Sequence, residues 1–289
     1  MTASSPDGAA AIVAAVNRPS RAGRNLPAAI AVGVGMGAVI LGSLLFERHL
    51  FVAVLALSTA VGTWELAGAL RRGASIAVPL PILLVGGQAM VWLSWPFGLR
   101  GLAVSFAGTA LAMLVWRLRA GAAHYVRDIT AAVFTATYVP LFCSFATLLV
   151  VAPDGKGRAL TFLLCVVASD VGGYAAGVLA GKHPMAPTIS PKKSWEGFAG
   201  SMLFGVTAGT LMAIFVLDVA FWVGIIIGAS LVVVGTLGDL IESLIKRDIG
   251  IKDMSSFLPG HGGVMDRLDS LLVAAPVAWL IMYIFVPGG

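Results

Sequence analysis

Charged side chains are scarce in this sequence: Asp, Glu, Lys and Arg make up 11% of its 289 residues, against 58% hydrophobic ones. Combined with a mean hydropathy of +0.95, so little charge excludes an ordinary water-soluble fold, and lipid must solvate most of the surface. Cysteine is nearly absent as well. Cys143 and Cys165 lie in apolar runs without metal-ligand spacing, so a thiolate metal site is excluded and each thiol reads as a small hydrophobe. Residues 1–24 are rich in Ala, Ser and Arg and lack a long apolar core and a cleavage site; they read as a flexible cytoplasmic tail, not a signal peptide. The net charge of +5 does not call for nucleic acid, because a membrane protein gathers excess Lys and Arg through the positive-inside rule.

What the chain has in plenty is apolar runs of about 20 residues, the length that crosses the hydrocarbon core. They fall near 26–46, 50–69, 76–95, 98–116, 129–151, 159–180, 198–217, 219–244 and 268–286. The expected fold is therefore all-α, a polytopic membrane bundle of nine helices, with five in an N-terminal region 25–157 and four, plus cytoplasmic loops, in a C-terminal region 158–289. With the N-terminus inside, 15 of the 19 basic residues fall on the cytoplasmic side. Only Arg48, Arg100, Lys156 and Arg158 fall on the other, so the C-terminus is expected outside.

The scarce charge is also unevenly spread. Residues 239–269 hold ten of the 33 charged residues, and charge beside apolar helices is costly enough that function is the default reading. Asp239, Glu242, Ser243 and Lys246 follow at i, i+3, i+4 and i+7, so one helix face carries two carboxylates, a hydroxyl and an ammonium. Neither Asp239 nor Asp266 has an obvious dedicated basic partner. The segment 248–263 has too much Gly and Pro for a helix and reads as a loop folding back over that face. Asp266 and Asp269 then sit three apart in the first turn of the last helix. Carboxylates from two helices, interleaved with Lys and Arg, suit a hard divalent cation together with phosphate. Asp170 lies near the middle of the sixth span beside Gly172 and Gly173, and needs a partner. In the loop after it, Ser190 and Ser194 are capping candidates and Pro191 suits a first helical position. Free backbone N–H groups there, beside Lys192 and Lys193, would suit a phosphate.

Ser243, Ile245, Lys246, Arg247, Lys252, Asp253, Ser255, Leu258, Pro259, His261, Gly262, Gly263, Val264, Asp266, Arg267, Leu268 and Asp269, at their spacing, resemble the signature of the phosphatidate cytidylyltransferases, or CDP-diacylglycerol synthases. The segment Ser190–Gly197 and the Asp170-x-Gly-Gly-Tyr174 element are similar to family features too, so the likeness covers about 160–289. Glu65, in the second span, resembles an acidic residue seen there in the family. The resemblance implies transfer of CMP from CTP to phosphatidic acid in the cell membrane, for phospholipid biosynthesis, with release of pyrophosphate. It implies a catalytic set of Asp239, Asp266, Lys246 and Arg267, and Mg²⁺ on Asp239, Asp266, Glu242 and Asp269, with room for a second, monovalent or divalent cation. Substrate contacts are expected from Lys192, Lys193, Ser194, Ser243, Arg247, Lys252, Asp253, His261, Gly262, Gly263 and Asp170. The expected partners are CTP, phosphatidic acid, membrane lipids and a second copy of the chain, and no nucleic acid.

Plainer roles compete with several of these. Glu242 and Asp269 could pair with Lys246 or Arg267 at helix ends, Lys192 and Lys193 could be topology anchors, and Gly262 and Gly263 could give only backbone freedom. Two other functions use the same features. A CTP-dependent lipid kinase would need the same nucleotide ligands, and an anionic-solute transporter would need intramembrane acids, though along a path and not at one face.

Overall fold

A computed structural model describes residues 26–255 and 262–288; the tail 1–24 and His261 lie outside the described residues. The fold is all-α apart from one small hairpin. Its helices are α1 Leu26–Phe46, α2 Arg48–Ala74, α3 Leu80–Arg117, α4 Tyr125–Val151, α5 Gly155–Ala180, α6 Trp195–Phe215, α7 Phe221–Asp248 and α8 Met265–Phe285. Among the described residues, seven of these, α2 to α8, are long and apolar enough to cross a membrane.

The fourth expected span emerges as the second leg of α3, not a separate helix. Gly98, with φ of +56°, reverses the chain two residues after Pro96, and only glycine takes that backbone conformation cheaply. The legs then lie antiparallel: Ser105 Oγ donates to Ala89 O at 3.3 Å, and a β-carbon on Gly86 would collide with Thr109. In α4 the turn Thr137–Leu141 widens to a π-helix around Pro140, whose missing N–H and bulky ring break the regular ladder.

Small residues every fourth position explain how α5, α6 and α7 pack. Gly197, Ser201, Gly205 and Gly209 form a stripe along α6; Gly172 and Gly173 of α5 meet its first half, and Gly224 and Gly228 of α7 meet its second. In lipid, where no hydrophobic effect drives helices together, such stripes allow backbone contact and the dispersion that comes with it. Ser201 Oγ adds a hydrogen bond across the seam to Ser169 O at 2.8 Å.

Two ends of the bundle differ in kind. At one end Arg48, Lys156 and Arg158 donate to carbonyl groups at helix ends. Arg158, only 3% exposed, reaches Met282 O at 3.0 Å, Val286 O at 3.2 Å and Pro287 O at 3.0 Å while holding Asp154 at 2.6 Å. These guanidinium and ammonium groups satisfy acceptors that lipid cannot. The opposite end gathers the C-termini of α2, α5 and α7 with the starts of α6 and α8, and there the expected functional residues converge.

The segment after α5 corrects an expectation. Lys192 and Lys193 are not in the first turn of a helix: Pro184–Ala186 (β1) and Ser190–Ser194 (β2) form an antiparallel hairpin, and α6 starts at Trp195. Pro191 on this two-stranded edge lacks the N–H a central strand would need, so its place fits a hairpin as well as a helix start. Ser194 is the N-cap of α6, its Oγ accepting from Gly197 N at 3.1 Å. Glu196 ties the hairpin base down by accepting from Lys182 N at 3.1 Å and His183 N at 3.2 Å.

Candidate active site

The site is built where α7 and α8 touch. A β-carbon on Gly238 would stand 2.6 Å from Asp269 O, so the helices meet backbone to backbone, and the next residue, Asp239, is carried against the α8 first turn. Asp239, Glu242 and Asp269 consequently lie close enough to repel one another, with Lys246 attracting Asp269. Helical spacing put the carboxylates on one face of α7; the glycine contact puts that face against the acids of α8.

Lys246 stands between two carboxylates. Its Nζ donates to Glu242 Oε2 at 2.5 Å and to Asp266 Oδ1 at 2.9 Å. Glu242 is 1% exposed, and its other oxygen, Oε1, has no hydrogen-bond partner among the described residues. Asp266 is better satisfied, since its Oδ2 accepts from Gly263 N at 2.6 Å and from Met254 N at 3.1 Å. Gly262 has φ of +79°, which turns the chain so that the next N–H meets that carboxylate. The reading that Asp239 and Asp266 lack basic partners is therefore corrected: Lys246 serves Asp266, and Lys193, arriving on β2, donates to Asp239 Oδ2. The pairing of Lys193 with Asp239 was not visible in sequence because the two are 46 residues apart, with α6 between them.

Asp239 and Lys193 face a pocket of about 320 Å³, whose wall also includes Asp170, Tyr174, Lys192 and Phe198. That is the size of a small-ligand cleft. Asp170 shares this pocket wall with the Asp239–Lys193 ion pair. The lining thus mixes charged side chains with aromatic and glycine positions.

The flanks of the 248–263 segment are held by α2. Glu65, 1% exposed, accepts from Ser255 Oγ at 2.6 Å, Val264 N at 3.0 Å and Met265 N at 2.7 Å. Arg72 donates to Met254 O at 2.8 Å, and a β-carbon on Gly73 would strike Ile249 O. Arg72 gave no signal in sequence beyond the positive-inside count. Tyr138, on the π-turn of α4, was also missed. It is 3% exposed, and its hydroxyl has no hydrogen-bond partner among the described residues. The π-turn that aims it was not legible from composition.

Of the other expected residues, Ser243 is half-buried on α7, while Arg247, Lys252, Asp253 and Arg267 are exposed at the same end of the bundle. Gly262 and Gly263 pack against the carboxylates of Asp266 and Glu65. Ser194 caps α6 at the pocket edge.

A family model for the cytidylyltransferase family matches residues 27–285. The chain belongs to that family. A phosphatidate cytidylyltransferase of Mycobacterium bovis is 49% identical over 276 residues, spanning 91% of this chain and 90% of that protein. One from Mycobacterium leprae is 48% identical over 278 residues, spanning 91% and 89%. A more distant one, from Staphylococcus saprophyticus, is 41% identical over 130 residues, 45% of this chain. The transferase is a nucleotidyltransferase of phospholipid synthesis, and its helices are those of a membrane protein.

The expectation of a cation on the acids of α7 and α8 can be set against their surroundings. Among the described residues no three of them are arranged as a ready-made chelate, and Lys193 and Lys246 between them hold three of the carboxylates, Asp239, Glu242 and Asp266. Their chemistry nonetheless fits a hard cation: all donors are oxygens, they repel one another, and Glu242 Oε1 is a buried acceptor left without a donor.

Proposed function

We propose that this chain transfers CMP from CTP to phosphatidic acid, forming CDP-diacylglycerol and pyrophosphate. The observation that carries the reading to these residues is the pocket in which Asp239 and Lys193 face each other beside Tyr174 and Phe198. A triphosphate needs the charged groups of this pocket, and a lipid needs its apolar ones. A phosphate oxygen of the lipid attacks the α-phosphorus of CTP, the bond to the β-phosphate oxygen breaks, and pyrophosphate leaves with that electron pair. The nucleophile is already an anion, so the protein's work is to align two polyanions and offset their charge. Lys193 and Lys192 on β2 are placed to bind phosphate oxygens from the hairpin side, and Lys246 from the α7 side. Asp239, Asp266, Glu242 and Asp269 would hold Mg²⁺, with a second cation admissible among so many acids; when bound, it would supply positive charge against the phosphates. Arg267, Arg247, Lys252 and Asp253, exposed at this end of the bundle, are proposed as further substrate contacts, with Ser243 and, from the sequence alone, His261.

The test is direct. Purified protein in detergent, given CTP, Mg²⁺ and phosphatidic acid, should release pyrophosphate and form the liponucleotide, and excess EDTA should abolish both. Release of CDP with a polyprenol acceptor would replace this reading by a lipid kinase. Nucleotide-independent uptake into proteoliposomes would replace it by a transporter, against which stands the gathering of charge at one end of the bundle.

We also infer that this end faces the cytoplasm, with the chain in the cell membrane. Support comes from the basic residues of the hairpin and of the α2, α3 and α7 ends, which share it, while only a few carbonyl-bound cations sit opposite. Nine crossings, counting α1 and both legs of α3, then put the C-terminus outside. Reporters fused after Arg72 and after Lys193 should read cytoplasmic and one at the C-terminus exterior; a cytoplasmic C-terminus would remove this topology.

A further inference from the structure

We propose that Glu65, far outside the C-terminal motifs, is a positioning residue for nucleotidyl transfer, acting through Asp266. The proposal rests on the cytidylyltransferase reading and adds a role for the N-terminal half of the chain. Helix α8 begins with unsatisfied N–H groups, as every helix does. Here two of the N–H groups at its start, Val264 N and Met265 N, are taken by a carboxylate from another helix, about 200 residues away in sequence. Negative charge at this position also favours the α8 dipole.

The consequence falls on the next residue. Because Glu65 holds Val264 and Met265, Asp266 is left to span the gap between Lys246 on α7 and the N–H groups of Met254 and Gly263. Ser255, next to Met254, donates to the same Glu65 oxygen that takes Val264 N. Glu65 thus joins both flanks of the segment to α8 at one point, and the backbone on either side of Asp266's donors is fixed by it. Gly263 has no side chain because one would not fit: a β-carbon there would stand 2.6 Å from Glu65 Oε2. Arg72 and Gly73, two turns further along α2, hold Met254 and Ile249 in the same way. The buried carboxylate is not in the wall of the pocket that Asp239 and Lys193 line; it faces two backbone N–H groups and the Ser255 hydroxyl, so its part in the reaction is to set where Asp266 stands. A displacement of about 1 Å at such a group lowers turnover by about 10²-fold.

Glu65→Gln is the informative change, since the amide keeps the shape but offers one acceptor oxygen where two were used and turns an N–H toward a donor. We expect kcat to fall about 10- to 100-fold, with KM for CTP within about threefold of wild type. Ser255→Ala, which removes one of the three donors, should lower kcat less. The deciding measurement is a double-mutant cycle. If Glu65 works through Asp266, adding Glu65→Gln to Asp266→Asn should lower kcat by less than about threefold further. Full additivity of the two losses, or turnover per folded molecule within about twofold of wild type in Glu65→Gln, would overturn the proposal. Failure of the underlying reading shows separately, as wild-type protein that releases no pyrophosphate at all.

Discussion

Asp239→Asn should cost this enzyme about 10²-fold or more in kcat while leaving the bundle folded. The asymmetry follows from where the side chain stands. Asp239 lies on the pocket wall with a 27% exposed side chain, and its described ion-pair partner is Lys193, itself 25% exposed. A pair that open to solvent contributes at most about 1 kcal/mol to stability. Asn keeps the volume and one acceptor oxygen, so α7 still meets α8 at Gly238. What is lost is a full negative charge on the wall of the pocket proposed to hold the CTP phosphates and a divalent ion. The measurement is kcat and thermal stability across a Mg²⁺ titration. Turnover like wild type at every Mg²⁺ concentration, or a fall in activity that matches the fall in folded protein, would defeat the assignment.

The residues differ in how much of their role a sequence discloses, and the physics explains the order. Asp239, Glu242 and Lys246 share a helix face, and helical periodicity is local, so their grouping was legible before any fold was known. Asp266 and Asp269 were legible for the same reason, as acids in the first turn of a helix. The pairing of Lys193 with Asp239 was not, because it depends on a hairpin replacing the expected helix start, and short two-stranded elements carry little periodic signal. The reversal in α3 was readable as two apolar runs, yet only the positive φ of Gly98 shows that the legs fold back directly. Glu65 announced itself as a charge in an apolar span, but its partners, Ser255, Val264 and Met265, lie about 200 residues on, a separation over which a single sequence holds no contact information. Arg72 and Tyr138 carried no local signal, since a basic helix end and an aromatic in an apolar run are ordinary in any membrane protein.

Lys246 gives the second large effect, and here fold and chemistry should fail together in a way that a metal ion separates. Its ammonium sits between Glu242 and Asp266, whose side chains are 1% and 7% exposed. Lys246→Met keeps the apolar stem and removes the charge, leaving two nearly buried carboxylates facing each other. Breaking one buried pair costs about 3–5 kcal/mol, and this change breaks two that share a cation. Without divalent metal, the variant should melt several degrees or more below wild type. Mg²⁺ should then raise its melting temperature more than it raises that of wild type, because a divalent ion on the same oxygens restores the missing positive charge. Adding Glu242→Gln should restore much of the stability without metal, by removing the carboxylate that Lys246 neutralised. If Lys246 also binds phosphate, as proposed above, turnover should stay down by about 10²-fold in both variants even at saturating Mg²⁺. Equal Mg²⁺ stabilisation of wild type and Lys246→Met would show that these carboxylates do not take the ion. A metal-free Lys246→Met as stable as wild type would show that the lysine is not what keeps the two acids together.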